Sequence, residues 1–264
     1  ALSKQEKRFP AVWGGVCNRR CEDACTRGKI DQAVAIDEVK KFIAQKDLYA
    51  ATRYVPPIQP PSNRGGFDDK IAIVGAGPAG LSCAFFLAKK GYKPTVFEKN
   101  ARPGGMLVYG IPSYKLEKDV VDAEIEVLRQ MGVEIRCNVE VGRDVTLDEL
   151  RAQGYKAFYL AIGCQGGRMA GIPGEDAEGV TTAVEFLHRV SEDETTPVRG
   201  RAVVIGGGNV AIDVARSCLR CGAKEVAMYC LEQENQMPAS PEEIAEARQE
   251  GAVIHCGWGP SRIL

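Results

Sequence analysis

The sequence predicts an α/β fold made of two similar halves, each built on a parallel sheet. The first observation is a glycine turn, GAGPAG at residues 75–80, between the apolar run 71–74 and an apolar segment that ends before Gly91. The second is that this order returns at residues 202–229, around the turn GGGNVA at 206–211. The third is spacing, because 11 residues separate Gly80 from Gly91 and also Ala211 from Gly222. Together they predict an internal repeat of strand, turn and helix.

The first glycine turn (residues 75–80) has the residues that a dinucleotide pyrophosphate requires. Gly75 permits a tight turn, Gly77 lets the pyrophosphate approach the backbone, and Gly80 lets helix and strand pack closely. The following helix offers free N–H groups and the positive end of its dipole to phosphate. A strand at 95–97 ends at Glu98, 23 residues after Gly75, where a carboxylate can accept both hydroxyls of an adenosine ribose. The first half is therefore predicted to bind a dinucleotide.

The rest of the first half alternates helices and strands. We expect a helix at 116–131, a strand at 133–141, a helix at 146–153 with a capping box from Thr146 to Glu149, and a buried strand at 157–162. Gly104 and Gly105 form either a turn that a flat ring or a pyrophosphate approaches closely or an ordinary glycine turn.

The second glycine turn (residues 206–211) predicts a second dinucleotide site. Counting along the chain places Tyr229 at the position of Glu98, followed by CLEQ at 230–233. Enzymes that select the 2′-phosphate of NADPH place arginines here, and residues 231–247 contain none. Glu232, if it points inward, would oppose that phosphate by about 4 kcal/mol at about 4 Å and an effective dielectric near 20. This favours NADH by roughly a hundredfold or more, unless Glu232 is solvated or unless Arg216 or Lys224 reaches the phosphate.

Composition excludes several classes of protein. The 264 residues include 34 basic and 35 acidic side chains, for a net charge of −1, so we predict no nucleic-acid partner. No apolar run is long enough for a membrane helix, and residues 1–10 lack the apolar core of a signal peptide. The chain has ten scattered cysteines, and in an α/β chain that is neither small nor visibly secreted such cysteines are more often buried thiols or metal ligands than disulfides. We therefore predict a reducing, cytoplasmic setting.

Near the amino terminus, Cys17, Cys21 and Cys25 lie within nine residues. Three such thiols either converge on one soft metal centre, as iron–sulfur clusters require, or lie at i, i+4 and i+8 on one face of a helix. A helix is expected at 31–50, and prolines within residues 54–66 predict a stiff spacer and a domain boundary.

Cys218 and Cys221 invite a second interpretation, a redox-active dithiol. However, the pair falls near the end of the predicted helix of the second half, whereas a catalytic dithiol should face the flavin or the nicotinamide. Packing is therefore the favoured role of these thiols. If they were instead redox-active, the chain would be a flavin-dependent disulfide reductase, which is kept as an alternative function.

These motifs also resemble a known family. CNRRCEDAC, VGAGPAGL, FEKNARPGGMLVYGIPSYKL, YLAIGCQ and GGGNVAIDVAR, in that order, are similar to the small (beta) subunit of glutamate synthase and to related modules of dihydropyrimidine dehydrogenase and electron-bifurcating ferredoxin:NADP oxidoreductases. The resemblance implies an adrenodoxin-reductase-like fold, with a partial helical iron–sulfur domain at 1–62, an FAD domain at 63–168 and an NAD(P)H domain at 169–264. It places FAD contacts at Gly75, Gly77, Pro78, Ala79, Gly80, Glu98, Gly105, Met106 and Ile162. Contacts to the nicotinamide nucleotide fall at Gly206, Gly207, Gly208, Asn209 and Val210, and 4Fe-4S cluster ligands at Cys17, Cys21 and Cys25.

The implied function is electron input, in which NAD(P)H reduces FAD and electrons leave through iron–sulfur clusters to a partner subunit. That partner would resemble the glutamate synthase large subunit or belong to a ferredoxin-linked complex. No catalytic side chain is predicted, since hydride transfer requires geometry and electrostatics rather than an acid or base. The family's upstream cysteine motif and its C-terminal return to the FAD domain are missing here, which predicts a fragment. A non-catalytic nucleotide-binding subunit is the remaining alternative.

Overall fold

A computed structural model describes Lys4 and residues 7–59 and 68–264. The chain forms two compact units, the first from Ala1–Val108 and Ser113–Gly163, the second from Tyr109–Pro112 and Cys164–Leu264. The predicted α/β class with parallel sheets is confirmed. The end of the predicted proline-rich spacer lies outside the described residues, and the domain limits at residues 62 and 168 stay predictions.

The amino-terminal part of the first unit is helical. It contains α1 (Pro10–Gly15), α2 (Arg20–Asp23), a short 3-10 helix (Thr26–Lys29) and α3 (Ile36–Leu48). The predicted start of α3 near residue 31 is wrong, because the Glu22 carboxylate accepts the Asp37 N–H at 2.7 Å and fixes the helix start there. A carboxylate at this end also complements the helix dipole.

The sheet of the first unit follows. Its elements are β1 (Lys70–Val74), α4 (Pro78–Lys89), β2 (Pro94–Phe97), α5 (Met106–Tyr109), α6 (Lys118–Gln130), β3 (Glu134–Arg136), α7 (Leu147–Ala152) and β4 (Tyr155–Leu160). The strands are parallel and lie in the order β3-β2-β1-β4. The chain therefore changes direction across the sheet between β1 and β4, which is where open α/β sheets bind ligands.

Two local predictions have different outcomes in this unit. The capping box at Thr146 is confirmed, since its side chain accepts the Glu149 N–H while the Glu149 carboxylate accepts the Thr146 N–H. The strand predicted at 133–141 is wrong beyond Arg136, because Asn138 adopts a left-handed backbone with φ 57°, a conformation that a continuous strand does not contain.

The second unit repeats the arrangement. Its elements are α8 (Ala183–Glu192), β5 (Arg201–Ile205), α9 (Asn209–Arg220), β6 (Glu225–Cys230), a short 3-10 helix (Glu234–Gln236), α10 (Pro241–Gln249) and β7 (Val253–Cys256). The strands are parallel in the order β5-β6-β7. Ile212, Ala215 and Met228 are fully buried at the centre of the core between α9 and this sheet.

The pairing of the strands shows that counting along the chain misplaces the equivalent of Glu98 by one residue. Val74 pairs with Phe97 in the first sheet, and Ile205 pairs with Tyr229 in the second. Tyr229 thus corresponds to Phe97, and Cys230, not Tyr229, occupies the position of Glu98. The reason is one additional residue in the second half between the glycine that ends the helix and the following strand.

Within the described ranges, no helix combines the length and the apolar character that crossing a membrane requires.

Candidate functional site

The first glycine turn connects β1 to α4. The Gly75 N–H donates to the Phe97 carbonyl at 2.8 Å, and Gly75 has φ 104°. A Cβ at Gly75 would lie 2.3 Å from the Ala161 oxygen, and one at Gly80 would lie 1.9 Å from the Gly75 oxygen. No atom lies within 4 Å of a Cβ built at Gly77. The turn is therefore closed on the protein side and open at Gly77, which is the arrangement that a pyrophosphate needs.

Glu98 follows β2 and is buried with a relative exposure of 4%. Its carboxylate accepts the Ala76 N–H at 2.7 Å through one oxygen and the Asn100 N–H at 2.9 Å through the other. A carboxylate has about four acceptor positions, so two remain for ribose hydroxyls. The backbone bonds fix this side chain beside the glycine turn.

The second glycine pair of the first unit packs against the same turn. The Gly104 N–H donates to the Ala76 carbonyl at 2.8 Å, and a Cβ at Gly105 would lie 2.8 Å from the Gly77 Cα. Gly104 and Gly105 both have positive φ values, 128° and 55°, which explains why both are glycine. Of the two interpretations of this pair, the structure supports a turn that lies beside the candidate pyrophosphate position.

The remaining predicted residues of the first site lie at the same sheet edge. Pro78 and Ala79 form the first turn of α4, where the proline has no N–H to leave unpaired. Met106 begins α5 directly after Gly105. Ile162 follows β4, and its N atom would lie 3.4 Å from a Cβ at Gly75. The structure thus brings all nine predicted FAD contacts to the carboxyl edge of β1, β2 and β4, and their contact with FAD stays a prediction.

The second glycine turn has the same backbone geometry. The Gly206 N–H donates to the Tyr229 carbonyl at 2.9 Å, and Gly206 has φ 138°. Gly208 is the N-cap of α9, and no atom lies within 4 Å of a Cβ built there. Val210, in the first turn of this helix, is exposed.

A loop without a strong sequence motif holds this second turn. The Ser240 N–H donates to the Asn209 side-chain oxygen at 2.9 Å, and the Ala239 N–H donates to the Gly207 carbonyl at 3.1 Å. Ser240 is also the N-cap of α10, where it accepts the Glu243 N–H. The pattern Ser-Pro-Glu-Glu at 240–243 is a helix-start signal that could have located this element.

Glu232 lies against the second turn and is half-buried. Its Oε2 would lie 3.0 Å from a Cβ at Gly207, so the carboxylate points toward the turn instead of into solvent. Arg216 and Lys224 lie elsewhere. The Arg216 guanidinium is buried and donates to the carboxylates of Glu246 and Glu250, and Lys224 precedes β6 at the opposite edge of the sheet.

The thiols of Cys218 and Cys221 lie at the far end of α9 from Gly208. That helix has 12 residues, which corresponds to a length of about 18 Å. Burial raises the pKa of Cys218 to about 11, and burial also raises the pKa of Cys221. At that distance from Gly208, this pair does not form a dithiol centre at the glycine turn.

The three amino-terminal thiols do not share one helix face. Cys17 precedes α2, Cys21 lies within it and Cys25 follows it, so the alternative of a single helical stripe is wrong. Backbone N–H groups of Val34, Arg27 and Gly28 lower the pKa of Cys25, which suits a thiolate ligand. In the part of the chain that the structure describes, however, no three Cys, His, Asp or Glu side chains converge on a metal position. The ligand roles of Cys17, Cys21 and Cys25 therefore stay predictions.

Two open glycine turns at the carboxyl edges of parallel sheets define the chain as a dinucleotide-binding α/β protein. Residues 69–257 match the pyridine nucleotide-disulphide oxidoreductase family, and residues 1–51 match dihydropyrimidine dehydrogenase domain II with its 4Fe-4S cluster. The chain belongs to the pyridine nucleotide-disulphide oxidoreductase family, which confirms the predicted class of FAD- and NAD(P)H-dependent oxidoreductase.

Relatives support the same assignment. The chain is 38% identical to the small chain of NADPH glutamate synthase from Escherichia coli K12 over 99% of its own length and 57% of the relative's. It is also 38% identical to the beta subunit of the NADP-dependent formate dehydrogenase of Moorella thermoacetica, over 100% of its own length and 40% of the relative's. Mycobacterium tuberculosis FprA, solved with NADPH, is 27% identical with a TM-score of 0.57, over 69% of this chain and 47% of FprA. The predicted resemblance is thus confirmed, and the chain spans about half the length of these relatives.

Proposed function

We propose that this chain is the electron-input part of a larger oxidoreductase, in which NAD(P)H is oxidised by FAD. The observation that carries the proposal is the pair of equivalent glycine turns, each tied to the end of a neighbouring strand by a bond of 2.8 or 2.9 Å. When bound, FAD accepts a hydride from the nicotinamide and releases the electrons one at a time.

At the first turn, the residues present fit the adenosine half and the pyrophosphate of FAD. Gly77 leaves room for the pyrophosphate, and the start of α4 presents free N–H groups to it. Glu98 would accept the ribose hydroxyls with the acceptor positions that its two backbone bonds leave unused.

At the second turn, Gly208 and the start of α9 would take the pyrophosphate of the nicotinamide nucleotide. Asn209 would hold the turn through its bond to Ser240 instead of touching the nucleotide with the same oxygen. Cys230, the last residue of β6, occupies the position of Glu98 and has no carboxylate, and the next acidic residue along the chain is Glu232.

We further propose that NADH is the preferred reductant. The Glu232 carboxylate lies beside Gly207 and would repel a 2′-phosphate, and Arg216 is held by two glutamates. The two relatives described above are named for NADP(H), so this preference would distinguish the present chain from them.

The onward route belongs to the proposal as well. The match of residues 1–51 to a 4Fe-4S domain and the subunit names of the relatives support electron transfer through a cluster to a partner subunit. A partner resembling the glutamate synthase large subunit and a ferredoxin-linked complex are both compatible with these names. The cytoplasmic setting expected from cysteine usage is part of the same proposal.

The test is anaerobic reduction of the purified flavoprotein by NADH and NADPH, followed by flavin absorbance. We expect NADH to be favoured by roughly a hundredfold in the ratio of the flavin-reduction rate constant to the dissociation constant. Glu232→Gln should reduce the preference for NADH, mainly because NADPH binds more tightly once the repulsion of its 2′-phosphate is removed. Glu242→Gln removes the same charge from an exposed position on α10 and should leave the ratio unchanged.

A clear preference of the unmodified protein for NADPH would contradict the role of Glu232. Loss of flavin from Gly77→Ala together with retained flavin in Gly208→Ala would support the assignment of the two turns. A protein that binds no flavin at all would contradict the proposed function.

A further inference from the structure

Two thiols of the second unit lie side by side at the carboxyl edge of its sheet. Cys230 ends β6 and Cys256 ends β7, and the two residues are direct partners in the parallel register. Their Sγ atoms are 3.8 Å apart. Neighbouring strands are about 4.8 Å apart, and disulfides join Cα atoms separated by about 4.4–6.8 Å. The two positions are therefore close enough to be joined without moving a strand.

The two thiols differ in access. Cys230 is 3% exposed, whereas Cys256 is half-buried. The Cys230 thiol lies within 3.9 Å of the Cys256 sulfur and of two backbone carbonyls, those of Glu232 and His255. Burial, with the hydrogen bond to Cys256, raises the pKa of Cys230 to about 11. Cys230 thus remains a protonated donor to its neighbour, and Cys256 is the thiol that a solute reaches first.

The position of the pair links it to the second glycine turn. A Cβ at Gly207 would lie 2.9 Å from the Cys230 Cβ and 3.0 Å from the Glu232 carboxylate. The segments that follow the two cysteines are also joined to each other. The Gly257 N–H donates to the Glu232 carbonyl at 3.0 Å, and the Trp258 N–H donates to the Cys230 carbonyl at 2.9 Å. A movement of Cys230 is therefore transmitted to the residues that border the turn.

We propose that Cys230 and Cys256 form a reversible disulfide in response to a peroxide, and that this bond weakens nucleotide binding at the second glycine turn. The Cys256 thiol loses its proton and the thiolate attacks the peroxide, whose O–O bond breaks. This gives a sulfenic acid and a hydroxide or alkoxide, which takes up that proton and leaves as water or an alcohol. The Cys230 sulfur then attacks the Cys256 sulfur, forming the disulfide, and the hydroxyl leaves with the Cys230 proton as water. In total two thiols are oxidised to one disulfide, and hydrogen peroxide is reduced to two molecules of water.

The bond shortens the sulfur separation from 3.8 Å to about 2.05 Å. A disulfide sulfur carries no proton, so Cys230 no longer donates to the Glu232 and His255 carbonyls beside the turn. A binding site that loses its fixed geometry loses affinity. The effect on the nucleotide rests on the proposed function, whereas formation of the disulfide does not.

The first experiment treats the purified protein with hydrogen peroxide, blocks free thiols and maps cross-linked peptides by mass spectrometry. We expect a peptide pair that joins Cys230 to Cys256 and disappears after dithiothreitol. Cys256→Ser and Cys230→Ser should each abolish it. Cys221→Ser, a half-buried thiol of the same unit, is the matched control and should retain it. Absence of this peptide pair from the folded unmodified protein, or its persistence in Cys256→Ser, would overturn the proposal.

The second experiment measures NADH binding by calorimetry before and after oxidation. We expect the dissociation constant to rise on the order of tenfold, to recover on reduction and to be unaffected by peroxide in Cys256→Ser. Equal affinity of the oxidised and reduced forms would overturn the link to the turn. If the reduced protein binds no NADH while the cross-link forms, the proposed function fails and the disulfide stands.

Discussion

At the scale of single residues, Gly77 and Gly80 are the same amino acid with opposite surroundings. A Cβ at Gly80 would meet the Gly75 oxygen at 1.9 Å, whereas one at Gly77 would meet nothing within 4 Å. Gly80→Ala should therefore lower the stability of the first unit by about 1–3 kcal/mol. Gly77→Ala should leave thermal unfolding of the flavin-free protein nearly unchanged and reduce flavin content.

The measurement is the Tm of the flavin-free variants together with the flavin absorbance of the purified proteins. Gly208→Ala extends the comparison to the second turn, where the added methyl group also meets no atom. If Gly77→Ala unfolded as readily as Gly80→Ala, the role of Gly77 would be structural, and its assignment to the pyrophosphate would be wrong.

The glycine turns and Glu98 could be predicted because their function requires specific residue types at fixed spacing. The contacts of Asn209 and Gly207 with the loop at 237–240 could not, since they join groups about 30 residues apart through the backbone of that loop, and backbone groups carry no sequence signal. The position that corresponds to Glu98 was also misassigned by counting, because a single additional residue shifts which residue ends a strand.

At the scale of secondary-structure elements, two helices begin with the same device in different units. Thr146 caps α7 in the first unit and Thr182 caps α8 in the second, each with a glutamate that completes the capping box. Thr146→Ala and Thr182→Ala should each reduce the free energy of unfolding by about 1 kcal/mol. For domains of this size, the Tm should fall by about 2–4 °C.

Serine provides the control at each of the two caps, because it keeps the hydroxyl that accepts the N–H and removes only the methyl group. Thr146→Ser and Thr182→Ser should therefore stay close to the unmodified Tm. A serine variant as unstable as the alanine variant would show that the methyl group, rather than the cap, stabilises the helix.

Elements with strong local signals were predicted, and those determined by distant contacts were not. β1, α4 and α9 follow from apolar runs beside glycine turns, and α6 follows from its amphipathic spacing. The start of α3 depends on Glu22, 15 residues before Asp37, and the strand β7 depends on pairing with β6. Neither contact leaves a pattern within the segment itself.

At the scale of the whole molecule, one buried carboxylate makes stability depend on pH. Glu124 of α6 is 2% exposed and accepts the Ala11 N–H of α1 at 2.8 Å. Burial raises the pKa of Glu124, and the bond from the Ala11 N–H opposes this rise most, with smaller opposing effects of Lys4 and Arg53 and a further increase from Asp47. The folded protein therefore retains this proton at pH values where the unfolded chain has released it, and stability falls as the pH rises through that window.

In Glu124→Gln, the amide oxygen should accept the same N–H, and the amide side chain does not ionise. We expect this variant to be more stable than the unmodified protein at about pH 7, with a difference that shrinks toward about pH 4, near the ordinary carboxyl pKa. Denaturant unfolding at several pH values provides the measurement. Glu126→Gln on the same helix, where the glutamate pairs with Arg129 at the surface, should show no such trend.

The additional residue before β6 has a practical consequence for protein engineering. A variant that places the equivalent of Glu98 in the second half must follow the strand register and substitute Cys230. A substitution at Tyr229 would put the new carboxylate on the opposite face of the sheet, because neighbouring side chains of a strand alternate between faces. The same offset of one residue applies to any sequence alignment that superimposes the two repeats.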